Sequence, residues 1–244
     1  MTPRPLVTLR SVLLLACAVA VPAFAADPSV GIPKRGNPGF FEAHASFLRR
    51  AQEGPVGVLF LGDSITAGWT KVPALWESAW GRYQPANFGI GGDQTQHVIW
   101  RIEQAELENI SPKVVVLMIG TNNTGGNTAE EITAANHKIV TMIQEALPET
   151  KILLLAIFPR GPRTSGSGVV EDGTTRMAVI SAVNAKMATW DDGDKIRYLD
   201  IGHVFLDADG NIPLDIMPDR LHPNAAGYQL WVDAMSPLLA EMMQ

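Results

Sequence analysis

Apolar positions along this chain gather into short continuous runs, separated by longer stretches in which they recur every three or four residues. The runs at 56–61, 83–88, 113–119, 151–157 and 196–200 include KVVVLMI and KILLLAI, which lack the alternation of a sheet with one wet face. Strands that are apolar throughout are covered on both sides, which predicts a parallel sheet joined by helical crossovers. The periodic stretches at about 40–52, 72–80, 94–107, 129–147, 175–190 and 225–242 predict the covering helices. Two helix starts are marked by capping-box spacing, Asp93 with Gln96 and Thr128 with Glu131. No internal repeat interrupts the series, so 39–244 reads as one three-layer α/β domain.

The first residues follow another pattern. Arg4 and Arg10 precede an apolar stretch at 11–21, and Ala23-Phe24-Ala25 supplies a small-x-small cleavage site, so 1–25 reads as an export signal. A membrane span needs roughly 18 or more apolar residues, and this run is broken at Pro22. The rival reading is a lipoprotein anchored at Cys17, in LLAC. Residues 26–38, rich in proline, glycine and polar side chains, read as an N-terminal arm or tether. The expected location is the periplasm or the medium, with no integral membrane segment after cleavage.

Composition narrows the chemistry. Cys17 is the only cysteine, so cleavage leaves neither disulfides nor thiol catalysis. The domain is large enough to bury a core without staples. Losing two arginines takes the formal charge from −6 to about −8, which disfavours nucleic acid and anionic lipid as partners.

Four segments carry candidate chemistry: GDSI at 62–65, NFGIGGD at 87–93, GTNN at 120–123 and DRLHP at 219–223. Ser64 follows the first strand, where a serine can attack and its own N–H can hold the resulting oxyanion; taken alone it could equally be a helix cap. Thr66 stands where a nucleophile elbow needs glycine, so G-x-S-x-G does not fit. The glycines of NFGIGGD let backbone approach closely, with the Gly92 N–H a second candidate donor; Gln94 breaks the G-x-G-x-x-G of a phosphate loop. In GTNN a side-chain amide can donate to the same oxygen, Asn122 rather than Asn123, although asparagines also simply turn chains.

Asp219 and His222 are spaced so that the carboxylate can reach Nδ1 and leave Nε2 for the serine proton. They sit at a helix entrance with Pro223 as first helical residue, which favours them over the decoy pair Asp200 and His203. His44, His97 and His137 fall within helices and read as packing or surface residues. The acidic segment with Asp200, His203, Asp207, Asp209, Asp215, Asp219 and His222 raises a metal site as rival, but it lacks EF-hand spacing and HExxH. Trp69, Trp76 and Ile90 could line a modest pocket, and the two tryptophans could equally be core. The loop at 159–174 leaves the fourth strand on the side where ligands bind.

In these four blocks the chain resembles the SGNH, or GDSL-type, hydrolases, and within them the platelet-activating-factor acetylhydrolase catalytic subunits and their bacterial relatives. The resemblance runs from about residue 58 to 231, with Ile65 where the name-giving motif has leucine. It implies a flavodoxin-like fold with a five-stranded parallel sheet of order 2-1-3-4-5 and no metal or organic cofactor. It also implies Ser64 as nucleophile, Asp219 and His222 as triad partners, and Ser64, Gly92 and Asn122 as the oxyanion hole. The expected activity is hydrolysis of short-chain, above all acetyl, esters of small molecules or carbohydrates. Lysophospholipase activity is the alternative within the family. A metal-dependent phosphoesterase and a carbohydrate-binding or scaffold module that lost catalysis are alternatives outside it. Dimer-forming relatives leave a homodimer open.

Overall fold

The computed structural model describes residues 26–164, 168 and 170–244, so the export signal and Cys17 lie outside the described residues. Helix α1 (Pro38–Arg50) opens on an Asn37 cap and leads into β1 (Val58–Gly62), followed by a short α2 (Ser64–Ala67) and α3 (Pro73–Trp80). Then come β2 (Pro85–Gly89), α4 (Thr95–Glu103), β3 (Val114–Met118), α5 (Ala129–Ala146) and β4 (Lys151–Leu155). A small antiparallel pair, β5 (Arg163–Thr164) and β6 (Val170–Glu171), precedes α6 (Gly173–Met187), β7 (Ile196–Leu199) and α7 (Ala225–Met242).

All five long strands are parallel, in the order β2-β1-β3-β4-β7, which is 2-1-3-4-5 when only they are counted. The unbroken apolar runs serve two cores at once. Leu59, Leu61, Val115, Leu117, Ile152 and Leu154 point to one face, beneath α4, α5 and α6, with Phe47 of α1 stacked on Phe88 at 4.6 Å. Val58, Phe60, Val114, Val116, Leu153 and Leu155 point to the other, beneath α3 and α7. Each fully buried aliphatic side chain contributes about 1.5–3 kcal/mol.

Register brings the strand ends level: Gly62 pairs with Gly89 on one side and Met118 on the other. The segments after β1, β2 and β3 therefore emerge together at the C-terminal edge, where the strand order reverses.

The expected tether is docked. Ile32 N–H donates to the Gln96 carbonyl at 3.1 Å, and Thr95 Oγ1 and Lys138 Nζ donate to the Pro28 and Ser29 carbonyls at 3.0 and 2.9 Å. Two helix starts also differ from expectation. The cap of α4 is Gln94 with His97, one residue beyond Asp93 and Gln96, because the Asp93 carboxylate is drawn into ion pairs instead. Asn224 caps α7, so Pro223 lies before the helix rather than at its first position. The Thr128–Glu131 box on α5 forms as expected.

Candidate active site

Strand β1 delivers Asp63 and Ser64 to the sheet edge. A Cβ at Gly62 would collide with Thr66 and the Met118 carbonyl, so only glycine lets the chain turn this tightly. Asp63 caps α2, its Oδ1 accepting the Ile65 N–H at 2.9 Å, which makes Ser64 the first helical residue. From α7, the Tyr228 hydroxyl donates to the Ile65 carbonyl at 2.6 Å and occupies the space a side chain at Gly68 would need. The serine thus stands on a short helix fixed from both ends.

Its hydroxyl lies 2.8 Å from His222 Nε2, across 158 positions of sequence. His222 Nδ1 lies 2.7 Å from Asp219 Oδ2, and Asp219 Oδ1 accepts the backbone N–H groups of His222 and Leu221 at 2.8 and 3.1 Å. A carboxylate accepts only, so the proton belongs on Nδ1 and Nε2 is left to accept from the serine. Burial works to raise the Asp219 carboxyl, but the His222 N–H and ring and the Arg163 guanidinium outweigh it and hold the group below its ordinary value. Arg163, on β5, reaches Asp219 Oδ2 at 3.1 Å. The chain turns between them at Arg220, whose φ of 55° is left-handed.

Opposite the histidine lies the glycine turn. A Cβ at Gly89 would strike the Ala67 backbone, and one built on Gly91 would stand 4.0 Å from Ser64 Cβ, so the turn abuts Ser64. Among the described residues neither the Ser64 nor the Gly92 N–H donates to a protein acceptor. Asn122 Nδ2 donates to the Asp93 carbonyl at 2.8 Å and stands 3.5 Å from Asp63 Oδ2. Asn123 is spent elsewhere: its Oδ1 accepts the Thr95 N–H at 3.0 Å and its Nδ2 donates to Gln96 at 3.0 Å.

Beneath the turn runs a line of buried charge. Asp93 pairs with Lys34 Nζ at 2.7 Å and Arg101 Nη2 at 3.0 Å, close ion pairs that fall short of aligned hydrogen bonds. Arg101 continues to Glu106, and Glu106 to His44 at 3.0 Å. His97 Nδ1 accepts the Gln94 N–H at 2.9 Å; burial, with Lys34 and Arg101 nearby, pushes its pKa down to about 4, so it is neutral. Burial pushes the Asp63 carboxyl up to about 7, and the like charge of Asp93 adds to that push.

The structure corrects one expected substrate contact. Trp69 is completely buried, its ring 5.1 Å from Trp231 and 4.5 Å from Tyr228, because α2 and α7 close over it; it is core, not pocket wall. Ile90 keeps a small exposed area beside the glycine turn. His203 and Asp200 stay apart from the serine, and Asp200 accepts the Gly202 N–H in its own turn. Asp207 folds onto the Asp209 and Asn211 N–H groups at 3.0 and 2.8 Å, the Asp-Gly turn read from the sequence. A cleft of about 450 Å³ lined by Arg160, Thr174, Met177, Asn211, Ile212 and Arg220 is not lined by Ser64, Asp219 or His222.

Residues 60–230 match the model of the GDSL-like lipase/acylhydrolase family. The chain belongs to that family. It is 32% identical over 220 residues to the rat platelet-activating factor acetylhydrolase IB subunit alpha2, covering 90% of this chain and 92% of the relative. Among solved structures it resembles a GDSL-like lipase from Bacteroides thetaiotaomicron, with a TM-score of 0.67 at 17% identity over 81% of this chain and 97% of the other. An acetyl xylan esterase shares the fold at a TM-score of 0.56 and 21% identity, over 75% and 98% of the two chains. This GDSL-family protein is accordingly a carboxylic-ester hydrolase. Family membership sets aside the non-catalytic module.

Sequence reasoning passed over Lys34, Asp63, Arg101, Arg163 and Tyr228. Only Arg101 left a usable signal, a charge on the apolar face of α4 that is wholly buried.

Proposed function

We propose that this protein is an exported serine esterase that removes short acyl groups, acetyl above all, from small or carbohydrate alcohols. The observation that supports it is the continuous chain from Ser64 Oγ through His222 to Asp219, with both links under 3 Å. His222 Nε2 takes the serine proton as Oγ attacks the ester carbonyl, and Asp219 stabilises the imidazolium. The tetrahedral oxyanion rests on the N–H groups of Ser64 and Gly92 and on Asn122 Nδ2. Collapse expels the alcohol, which takes its proton from His222. Water, deprotonated by the same nitrogen, then releases the acid and restores Ser64.

Short acyl groups suit a nucleophile abutted by the glycine turn, where a Cβ on Gly91 would stand 4.0 Å from Ser64 Cβ. The names of a relative and of a structural neighbour both specify acetyl esters, of platelet-activating factor and of xylan. Export rests on residues 1–25 and is tested by N-terminal sequencing of the protein recovered outside the cytoplasm. A homodimer is tested by light scattering.

The deciding experiment treats the protein with a fluorophosphonate, maps the labelled peptide, and compares p-nitrophenyl acetate with octanoate, with and without chelator. Labelling at Ser64 with chelator-resistant preference for acetate is expected. Labelling elsewhere, chelator-sensitive turnover or a preference for octanoate would overturn the corresponding part.

A further inference from the structure

We infer that Lys34, on the N-terminal arm and outside the family-matching region 60–230, is a positioning residue that sets the direction of the oxyanion-hole donors. The inference rests on the reading of Gly92 and Asn122 as those donors.

Residues Ile90, Gly91, Gly92 and Asp93 form a β-turn closed by the Asp93 N–H on the Ile90 carbonyl at 3.1 Å. Gly92 has φ of 72° while Gly91 does not have a positive φ, which is the type II arrangement. Types I and II differ chiefly by a flip of the central peptide, here the one joining Gly91 to Gly92. Between two glycines that flip meets little steric resistance, so the sequence of the turn does not decide it.

Lys34 does. Its Nζ donates to the Gly91 carbonyl at 2.6 Å and pairs with Asp93 at 2.7 Å, one contact on each side of Gly92. The Gly91 carbonyl and the Gly92 N–H belong to the same planar trans peptide and point to opposite sides. Holding the oxygen on the lysine side therefore aims the hydrogen the other way, and an ammonium on the carbonyl polarises the peptide and strengthens its N–H as a donor. The Asp93 contact has a second effect, because the Asp93 carbonyl accepts from Asn122 Nδ2. One ammonium thus orients two of the three donors. Only 13% of the Lys34 side chain is exposed, and Phe40 lies 5.7 Å from Nζ, so the group is held rather than waving in solvent.

The test measures kcat and KM for p-nitrophenyl acetate, the rate of fluorophosphonate labelling and the melting temperature. The proteins compared are wild type, Lys34→Met, Lys34→Arg and Lys138→Met. The last removes the lysine that holds the arm at Ser29, away from the turn. Lys34→Met is expected to lower kcat about 10- to 100-fold, somewhat less than outright loss of a donor, with KM changed less than about threefold. Labelling should slow in parallel, because the phosphonyl oxygen uses the same donors. Lys34→Arg should recover part of the loss and Lys138→Met should keep wild-type kcat. If Lys34→Met does not fold, Lys34→Arg carries the test through a kcat loss of about three- to tenfold at unchanged KM. Folded Lys34 variants with wild-type kcat would overturn the inference, as would an equal loss in Lys138→Met, which would point to arm docking in general. A wild-type protein that neither labels nor hydrolyses would instead overturn the proposed function.

Discussion

On one side of Ser64 the turn at 90–93 rests on Asp93 and Arg101, neither of which reaches solvent. On the other, Asp219 and His222 keep 38% and 32% of their side chains exposed, although their loop is pinned by the Arg220 carbonyl on the Gly161 N–H, the Asn224 N–H on the Ile216 carbonyl and the Arg163 pair. In the proposed mechanism the first side receives a charge that appears and vanishes in place. Its donors work best if they are already aimed and water is kept away, since nothing then reorganises during the reaction. In that mechanism the second side moves protons to and from a departing alcohol and an arriving water, which requires access. The difference is one of access: the donor side is sealed from water and the base side is open to it.

Breaking the centre common to both sides has the largest expected effect. Ser64→Ala should lower kcat for p-nitrophenyl acetate by about 10⁴-fold or more with the fold intact by circular dichroism. Activity that survives would place the nucleophile elsewhere. Asn122→Ala removes one aimed donor, and a kcat loss of about 100- to 1,000-fold at similar KM is expected. A rise in KM alone would mean that Asn122 binds substrate rather than its transition state.

Asp63 sharpens the comparison through pH. Its carboxyl ionises near pH 7 in the fold, against about 3.9 in an unfolded chain. A raised carboxyl gives a contribution to stability that is fully present below the unfolded value and lost as pH rises through about 7. An asparagine in its place cannot ionise and keeps a side-chain oxygen to cap α2. Asp63→Asn should therefore gain stability relative to wild type between pH 5 and pH 8, by about 2–4 kcal/mol in urea unfolding. No change with pH would show that the buried carboxylate is ionised at little cost. The smallest effect belongs to the exposed side: Arg163→Gln removes a partly solvated ion pair from Asp219, and kcat should change by less than about fivefold. A larger loss would mean that the base side is as strictly organised as the donor side.

The sheet was legible because strands buried on both faces leave unbroken apolar runs, as at 113–119 and 151–157. The proposed reacting groups stand in short motifs, GDSI, NFGIGGD and GTNN at strand ends and DRLHP just before α7. What escaped depends on contacts between distant segments. The expected helix at 94–107 stops at Glu103, although AELE favours helix, and the chain turns at Ala105 with φ of 69°, letting Glu106 reach Arg101 and His44. Strands β5 and β6 are two residues each, too short for alternation to show. Trp69 satisfied wall and core equally until α7 was seen to cover it. Lys34 is one lysine in a proline-rich arm, and no local pattern ties it to a turn 57 residues away.

Tyr228 ties the helix carrying Ser64 to the start of α7, and His222 stands only three residues before that helix. A ribosome makes the nucleophile early and its base late. A nascent chain that has emerged only through β7 carries Ser64, Gly92 and Asn122, the proposed donors, but lacks His222 and the tyrosine that seats α2. In the proposed mechanism hydrolysis waits until the segment carrying His222 has closed onto Ser64 across 158 positions, a non-local contact of the kind that forms slowly. Until then the polypeptide is an unarmed precursor, restrained by nothing more than the order in which its residues are joined.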